Sequence, residues 1–141
     1  MKVSLLLAFL LLAACDVSKP YPDLSDKNFR IQTSSAGAKV RMEVYRLDRN
    51  CADDYAGSVA LEQPVVYVGL PAGQRSRLIF EFLSPGLLAR TSIKKQVQLV
   101  PQPGFQYDAR ISYKDDLYSL SLREIDPRTG NAREMDLFAS C

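Results

Sequence analysis

Few residues in this 141-residue chain could do enzymatic chemistry, because the chain contains no histidine. Ser-His-Asp and Cys-His catalytic schemes are therefore excluded, and so are zinc sites built on histidine. A Ser-Lys dyad is one nucleophilic arrangement that needs no histidine, and the pairs with suitable spacing are Ser92 with Lys94 and Ser112 with Lys114. Residues i and i+2 share one face of a strand, but that face is predicted to be solvated here. We therefore expect neither pair to be catalytic.

Two pairs of adjacent carboxylates could bind calcium or act as general acid and base. These pairs are Asp53-Asp54 and Asp115-Asp116. Neither lies in a loop with further acidic residues at ligand spacing, and the second lies in a predicted hairpin turn, where aspartate is favoured. We interpret both pairs as solvated turn residues. The sequence therefore predicts no catalytic residue, no metal ligand and no bound cofactor.

The charge of the chain is nearly balanced, with 18 basic and 16 acidic residues and a formal net charge of +2. This balance gives no electrostatic case for binding nucleic acid, which would require clustered lysine and arginine. Two small basic clusters, Arg75-Ser76-Arg77 and Lys94-Lys95, lie near predicted strands. They could approach anionic headgroups, but charges on edge strands also prevent edge-to-edge aggregation, and we favour that interpretation.

The N-terminus has the pattern of a signal peptide, with a positive start at Met1-Lys2 and an apolar segment over residues 3–14. A helix of those residues would be about 18 Å long against a hydrocarbon core of ~30 Å, so it is too short to span a membrane. The sequence Leu12-Ala13-Ala14-Cys15 resembles the lipobox of bacterial lipoproteins. That resemblance implies cleavage before Cys15, a diacylglyceryl group on its thiol, and an amino terminus acylated with a chain such as palmitate.

The lipobox resemblance sets the expected location and domain organisation. It implies a cell-envelope protein that is anchored to the membrane by the lipid on Cys15 and faces the periplasm. Asp16 resembles the signal that keeps lipoproteins of enteric bacteria in the inner membrane. We predict a signal peptide over residues 1–14, a lipidated flexible tether over 15–28, where Pro20 and Pro22 favour an extended chain, and a folded domain over 29–141.

With Cys15 lipidated, the remaining cysteines are Cys51 and Cys141, an even pair in a compartment that permits disulfides. We predict that they form a disulfide; the alternative is two free thiols. The bond would close a loop of about 90 residues, for which the chain-entropy model gives roughly 4–5 kcal/mol of stabilisation.

From Phe29 onward the hydrophobic pattern has a period of two, which is typical of half-buried strands. The predicted strands cover residues 38–45, 64–70, 75–83, 93–99, 105–113 and 118–122, with a last short strand around Met135 and Leu137. Residues 48–54 are predicted to be a polar loop. This pattern predicts an all-β protein, an antiparallel β-sandwich or small barrel of about seven strands.

Outward and inward residues can be assigned in the clearest strand, 105–113. Gln106, Asp108, Arg110 and Ser112 are expected to face solvent. The aromatic stripe that begins at Phe105 and ends with Tyr118 could contact a ligand or partner, but an alternating stripe is more often core, and we predict core.

The domain resembles uncharacterised proteobacterial envelope lipoproteins in Pro101-Gln102-Pro103-Gly104 with the following Phe105-Gln106-Tyr107, in Leu122-Arg123-Glu124-Ile125-Asp126, and in its terminal cysteine. The strand Val44-Tyr45-Arg46-Leu47 further resembles transthyretin-like accessory lipoproteins of secretion machines. These resemblances imply a sandwich of transthyretin or immunoglobulin type and supply no catalytic residues.

Two functions are compatible with these features. The first is a non-enzymatic lipoprotein that contacts another envelope component, for example as an accessory in secretion or assembly. The alternative is an inhibitor or sequestering lipoprotein that acts on a secreted enzyme such as lysozyme. For this alternative the loop over residues 49–54 or that over 84–90 would be the inserted wedge.

Overall fold

A computed structural model of the chain describes residues 18–24, 26–35, 39–84, 91–115, 117–137 and 141. The predicted signal peptide and Cys15 lie outside these residues. Nine strands form within the described ranges. They are β1 (Phe29–Ser35), β2 (Lys39–Leu47), β3 (Asp53–Ala60), β4 (Val65–Val68), β5 (Ser76–Ser84), β6 (Thr91–Leu99), β7 (Gln106–Lys114), β8 (Leu117–Ile125) and β9 (Ala132–Glu134). No helix in this part of the chain is long and apolar enough to cross a membrane.

The strands form two sheets, which confirms the predicted β-sandwich. The five-stranded sheet has the order β4-β1-β7-β8-β9, and the four-stranded sheet has the order β3-β2-β5-β6. The pairing of β1 with β7 is parallel, whereas the other strand pairings in the described chain are antiparallel. Parallel neighbours need a long crossover, and here the whole four-stranded sheet and β4 lie between them in sequence.

The core lies between the two sheets and follows the predicted alternation. The apolar residues at alternating positions of the predicted strands 38–45, 75–83 and 93–99 are buried, namely Val40, Met42, Val44, Leu78, Phe80, Phe82, Val97 and Leu99. From the other sheet Phe29, Ile31 and Tyr107 pack into the same cluster. Each fully buried large side chain stabilises the fold by about 1.5–3 kcal/mol.

The clearest difference from the sequence prediction is β3, which begins at Asp53 inside the predicted polar loop. A β-bulge interrupts its register with β2 between Val44 and Tyr45. Ala56 and Gly57 are consequently buried next to each other, and two adjacent buried residues break a period of two. An edge strand with polar residues and an irregular register carries too weak a pattern to be predicted.

The first and last strands also differ from the prediction. Strand β1, which the sequence marks only by the onset of a period of two at Phe29, is a full strand between β4 and β7. Strand β9 ends at Glu134, before the predicted positions. Met135 and Leu137 instead pack against the core after the strand has ended.

Residues 19–24 and 26–28 lie along the sandwich, and we call them the strap. Pro20 forms a parallel bridge with Ser58 of β3. The backbone N–H of Tyr21 donates to the carbonyl of Ser58 at 2.9 Å, and the Tyr21 hydroxyl donates to the carbonyl of Gly69 at 2.6 Å. The strap therefore connects the edge of the four-stranded sheet with the end of β4.

The strap corrects the predicted extent of the flexible tether. The side chain of Asn28 is buried and makes two hydrogen bonds of 2.8 Å with the backbone of Leu70. A Cβ atom on Gly57, whose φ is +141°, would lie 2.5 Å from the Cα of Tyr21. The strap residues therefore belong to the folded domain, and the prediction of a flexible tether reaching residue 28 is wrong for them.

Candidate functional site

The outer face of the five-stranded sheet carries a row of charged residues. The register places Arg30 of β1 beside Asp108 of β7, and Asp108 opposite Arg123 of β8. These residues alternate along their strands with buried residues such as Phe29 and Tyr107, so their side chains belong to the opposite, outer face.

Asp108 is only 1% exposed, although it lies on this outer face, because four polar side chains cover it. Its Oδ1 accepts hydrogen bonds from Nε of Arg30 at 2.9 Å and from Nε2 of Gln32 at 3.1 Å. Its Oδ2 accepts a longer hydrogen bond from Nη2 of Arg123 at 3.4 Å and lies 3.4 Å from Nε of Arg110. We call these five residues the Asp108 cluster.

The Asp108 cluster carries more positive than negative charge. Burial alone would raise the pKa of the Asp108 carboxyl, but the hydrogen bond and charge of Arg30, together with Arg123 and Arg110, hold that pKa below its ordinary value. The carboxylate is therefore ionised at neutral pH and offsets one of three guanidinium charges. The remaining charge of +2 is held on side chains that are 31–55% exposed.

A shallow groove of about 340 Å³ lies beside the Asp108 cluster on the same face. Ser34, Ser112 and Ser119 line it and form one row, because Ser34 pairs with Ser112 and Ser112 pairs with Ser119. Gln32 and Arg110 of the cluster also line the groove. Pro64 and Val65 also line the groove, so it combines apolar surface with hydroxyl groups and one guanidinium group. The hydroxyl and guanidinium groups suit a negatively charged group of a ligand.

A second polar network lies at the end of the sandwich where β7 begins. The hydroxyl of the buried Tyr107 donates to Oε2 of Glu124 at 2.9 Å and accepts from the backbone N–H of Gln102 at 2.8 Å. Burial raises the pKa of Tyr107 to about 12, and the hydrogen bond to Glu124 acts in the same direction. Arg133 of β9 pairs with the other Glu124 oxygen at 2.9 Å. This network ties β9 and the turn before β7 to the core.

The predicted disulfide between Cys51 and Cys141 is confirmed, with a Cα–Cα distance of 5.9 Å. Cys51 lies in the turn between β2 and β3, where Oδ1 of Asp48 accepts hydrogen bonds from the backbone N–H groups of Asn50 and Ala52. This turn is thus fixed by a covalent bond and by an aspartate that caps its backbone. Cys15, the predicted lipidation site, lies outside the described residues.

The residues that the sequence singled out as chemical candidates are dispersed. Asp53 forms an ion pair with Arg77 at 2.6 Å, and Asp115 lies in the β7–β8 turn with a φ of 52°. Ser92 and Lys94 are exposed on β6, and Asp116 lies outside the described residues. The described part of the chain holds no group of three or more acidic, cysteine or histidine residues that could bind a metal ion.

The interpretation of the aromatic stripe as core is confirmed. Tyr107 is buried, and Phe105, Tyr113 and Tyr118 pack against the core cluster. The ring of Tyr118 also contacts that of Phe82 from the opposite sheet, with centroids 4.5 Å apart. The stripe therefore connects the two sheets.

Sequence reasoning missed the Asp108 cluster, because it expects Asp108 to face solvent. The alternation correctly places Asp108 on the outer face, but its burial depends on Arg30 and Arg123, which lie 78 and 15 positions away in sequence. Only the parallel register of β1 with β7 brings Arg30 next to this carboxylate. The one local signal is the Asp-x-Arg spacing of Asp108 and Arg110.

Comparisons with known proteins inform the fold. No protein-family model matches the chain, and no curated protein matches it either. The structure is similar to transthyretin from Sparus aurata, with a TM-score of 0.54, 7% sequence identity, and coverage of 70% of this chain and 98% of the transthyretin chain. At this identity the likeness concerns the fold alone. The chain therefore has a transthyretin-like β-sandwich fold.

Proposed function

We propose that the chain is a lipid-anchored protein of the bacterial cell envelope whose non-catalytic β-sandwich binds another envelope component. The observation that carries this proposal is the disulfide between Cys51 and Cys141. Disulfides persist in exported proteins, and this bond leaves Cys15 as the one cysteine without a cysteine partner. Cys15 follows Leu12-Ala13-Ala14 at the end of the apolar segment, where a lipid would be attached.

The outer face of the five-stranded sheet is the proposed binding surface. The Asp108 carboxylate contacts three arginine side chains and restricts their positions, which reduces the conformational entropy lost when a partner binds them. Arginine is also among the residues that contribute most to binding at protein interfaces. An accessory role in secretion or assembly is one specific version of this function.

The inhibitor alternative is favoured by one observation, the turn over residues 48–52, which overlaps the predicted wedge at 49–54. Residues 85–90 of the other predicted wedge lie outside the described residues. Asp48 and Asn50 are exposed there, while the disulfide at Cys51 and the hydrogen bonds to Asp48 hold the turn in place. An exposed turn that is held in this way is suited to insertion into the cleft of an enzyme, because it loses little entropy on binding.

Two experiments test the proposal. Mass spectrometry of the mature protein should find a lipid on an N-terminal Cys15, and Cys15→Ser should move the protein from the membrane to the soluble fraction. A photo-crosslinking amino acid at Ser119 should capture an envelope protein in cells, whereas one at the exposed Lys95 on the other sheet should not. Capture of a secreted hydrolase from Asn50, with no product from Ser119, would instead support the inhibitor function. An unlipidated Cys15 would overturn the anchoring.

A further inference from the structure

We infer that the groove beside the Asp108 cluster binds the phosphate group of a phosphomonoester, with Arg110 as the principal binding residue. The inference rests on the proposed function in that it uses the same outer face. It adds the chemical group that this face recognises.

Arg110 has the properties of a prepared anion ligand. Its Nε lies 3.4 Å from the buried carboxylate of Asp108, which positions the side chain, yet 55% of that side chain is exposed. Among the described residues its guanidinium group makes this charge contact and no closer hydrogen bond. A guanidinium group carries five N–H donors in a planar fork that matches two oxygens of a phosphate group. The Nη donors of Arg110, which do not face Asp108, are therefore available to a ligand.

The charge of the surroundings favours a dianion over a singly charged group. The Asp108 carboxylate beneath Arg110 would repel an anion, but it is already offset by Arg30 and Arg123. The cluster retains two positive charges, although among its arginines only Arg110 lines the groove and Glu134 of β9 lies opposite Arg123. A phosphomonoester carries about −1.5 to −2 at pH 7. A single carboxylate would neutralise only half of this excess.

The serine row supplies donors for the remaining phosphate oxygens. The hydroxyls of Ser112 and Ser119 line the groove and make no hydrogen bond to another described side chain or backbone group. A tetrahedral phosphate that uses two oxygens on the Arg110 fork directs its other oxygens elsewhere, and hydroxyls can donate to them without adding charge. The cluster and the row thus provide complementary parts of one site.

The test is calorimetric titration of the full-length lipidated protein in neutral detergent with inorganic phosphate and with glycerol phosphate, at constant ionic strength. We expect saturable binding at pH 7.5. Arg110→Gln should weaken it at least ~10-fold, because charge-assisted hydrogen bonds are lost. Arg110→Lys, which keeps the charge but lacks the fork, should weaken it several-fold, and so should Ser112→Ala with Ser119→Ala. Lys95→Gln makes the same charge change on the other sheet and should leave binding within about twofold.

Binding should also be measured at a second pH and with other ligands. Binding should weaken from pH 7.5 to pH 5, because the second phosphate pKa lies near 6 and the monoanion has half the charge. Glycerol phosphate should bind more tightly than inorganic phosphate; equal or weaker binding would overturn the assignment of an ester and identify free phosphate as the ligand. No saturable binding, or binding unaffected by Arg110→Gln, would overturn the site. Arg110-dependent binding of a hexaglutamate peptide that is tighter than phosphate binding would overturn the phosphate assignment.

This experiment can fail independently of the proposed function. Lipid attachment and partner capture are measured on membranes and in cells, whereas the phosphate titration uses purified protein. A lipidated protein that captures an envelope partner but binds no phosphate would retain the proposed function and refute only this inference.

Discussion

Removal of the negative charge at Asp108 should destabilise the domain strongly, although the residue lies on an outer face. Asp108→Asn keeps the shape of the side chain but leaves three guanidinium groups without their counter-charge. Breaking a buried ion pair by removing one partner costs about 3–5 kcal/mol. Because the arginine side chains are 31–55% exposed and water can solvate them, we expect the lower end, about 3 kcal/mol, or a decrease in Tm of about 12 °C.

The effect of Asp108→Asn on the free energy of unfolding should depend on pH. The pKa of Asp108 is lower in the folded state than in the unfolded chain, where it is about 3.9. The stabilisation is therefore fully present above the unfolded pKa and is lost as the pH falls through the lower, folded pKa. The difference between wild type and Asp108→Asn in the free energy of unfolding should be constant between pH 5 and pH 7 and should decrease below pH 4.

The assay is urea denaturation followed by circular dichroism across this pH range. Asp53→Asn serves as the matched control, because Asp53 also pairs with an arginine but is 41% exposed, and it should cost no more than about 1 kcal/mol. A loss of less than about 1 kcal/mol for Asp108→Asn at pH 7 would refute the reasoning. So would a difference at pH 2 as large as that at pH 7, since the lowered pKa of folded Asp108 makes this stabilisation decrease once the unfolded chain binds a proton there.

Three further predictions concern the disulfide, the strap and the buried tyrosine. Cys51→Ser should lower the free energy of unfolding by about 4–5 kcal/mol, and wild type should lose the same amount on reduction; unchanged stability would contradict the bond. Gly69→Ala would place a Cβ against the carbonyl of Asp26, and it should cost about 1–3 kcal/mol and speed tryptic cleavage after Lys27; unaltered cleavage would show that the strap is not held there. Tyr107→Phe removes two hydrogen bonds and should cost about 1–3 kcal/mol below pH 10. Since folding raises the Tyr107 pKa to about 12, wild type should lose stability relative to this variant between pH 10 and pH 12 in alkaline denaturation.

The alternation of apolar and polar residues was sufficient to predict the sandwich core. Each strand buried on one face, such as β5 with Leu78 and Phe80, shows a period of two that depends on local sequence alone. Edge strand β3 was not predicted, because its bulge at Ala56, opposite Val44 and Tyr45 of β2, breaks that period. The packing of the strap on the domain was not predicted, because prolines such as Pro20 favour an extended chain whether it is free or packed.

The candidate site could not be predicted from the sequence, and the reason is different. The burial of Asp108 results from side chains on three strands, and the parallel neighbour β1 is distant in sequence. The serine row has the same origin, because Ser34, Ser112 and Ser119 become neighbours only through strand pairing. Local patterns identify which face a residue occupies, whereas the neighbours across strands depend on register.

With the proposed lipid on Cys15, the strap would also limit how far the domain can act from the membrane. Only residues 16–18 would separate the anchored cysteine from Lys19, which is already bonded to β3 through Ser58. Four residue steps span at most about 14 Å, roughly half the thickness of the hydrocarbon core. A domain anchored through so short a segment would remain within a thin layer above the lipid headgroups. Its partners would then be restricted to molecules that are themselves held at the membrane surface or that come down to it.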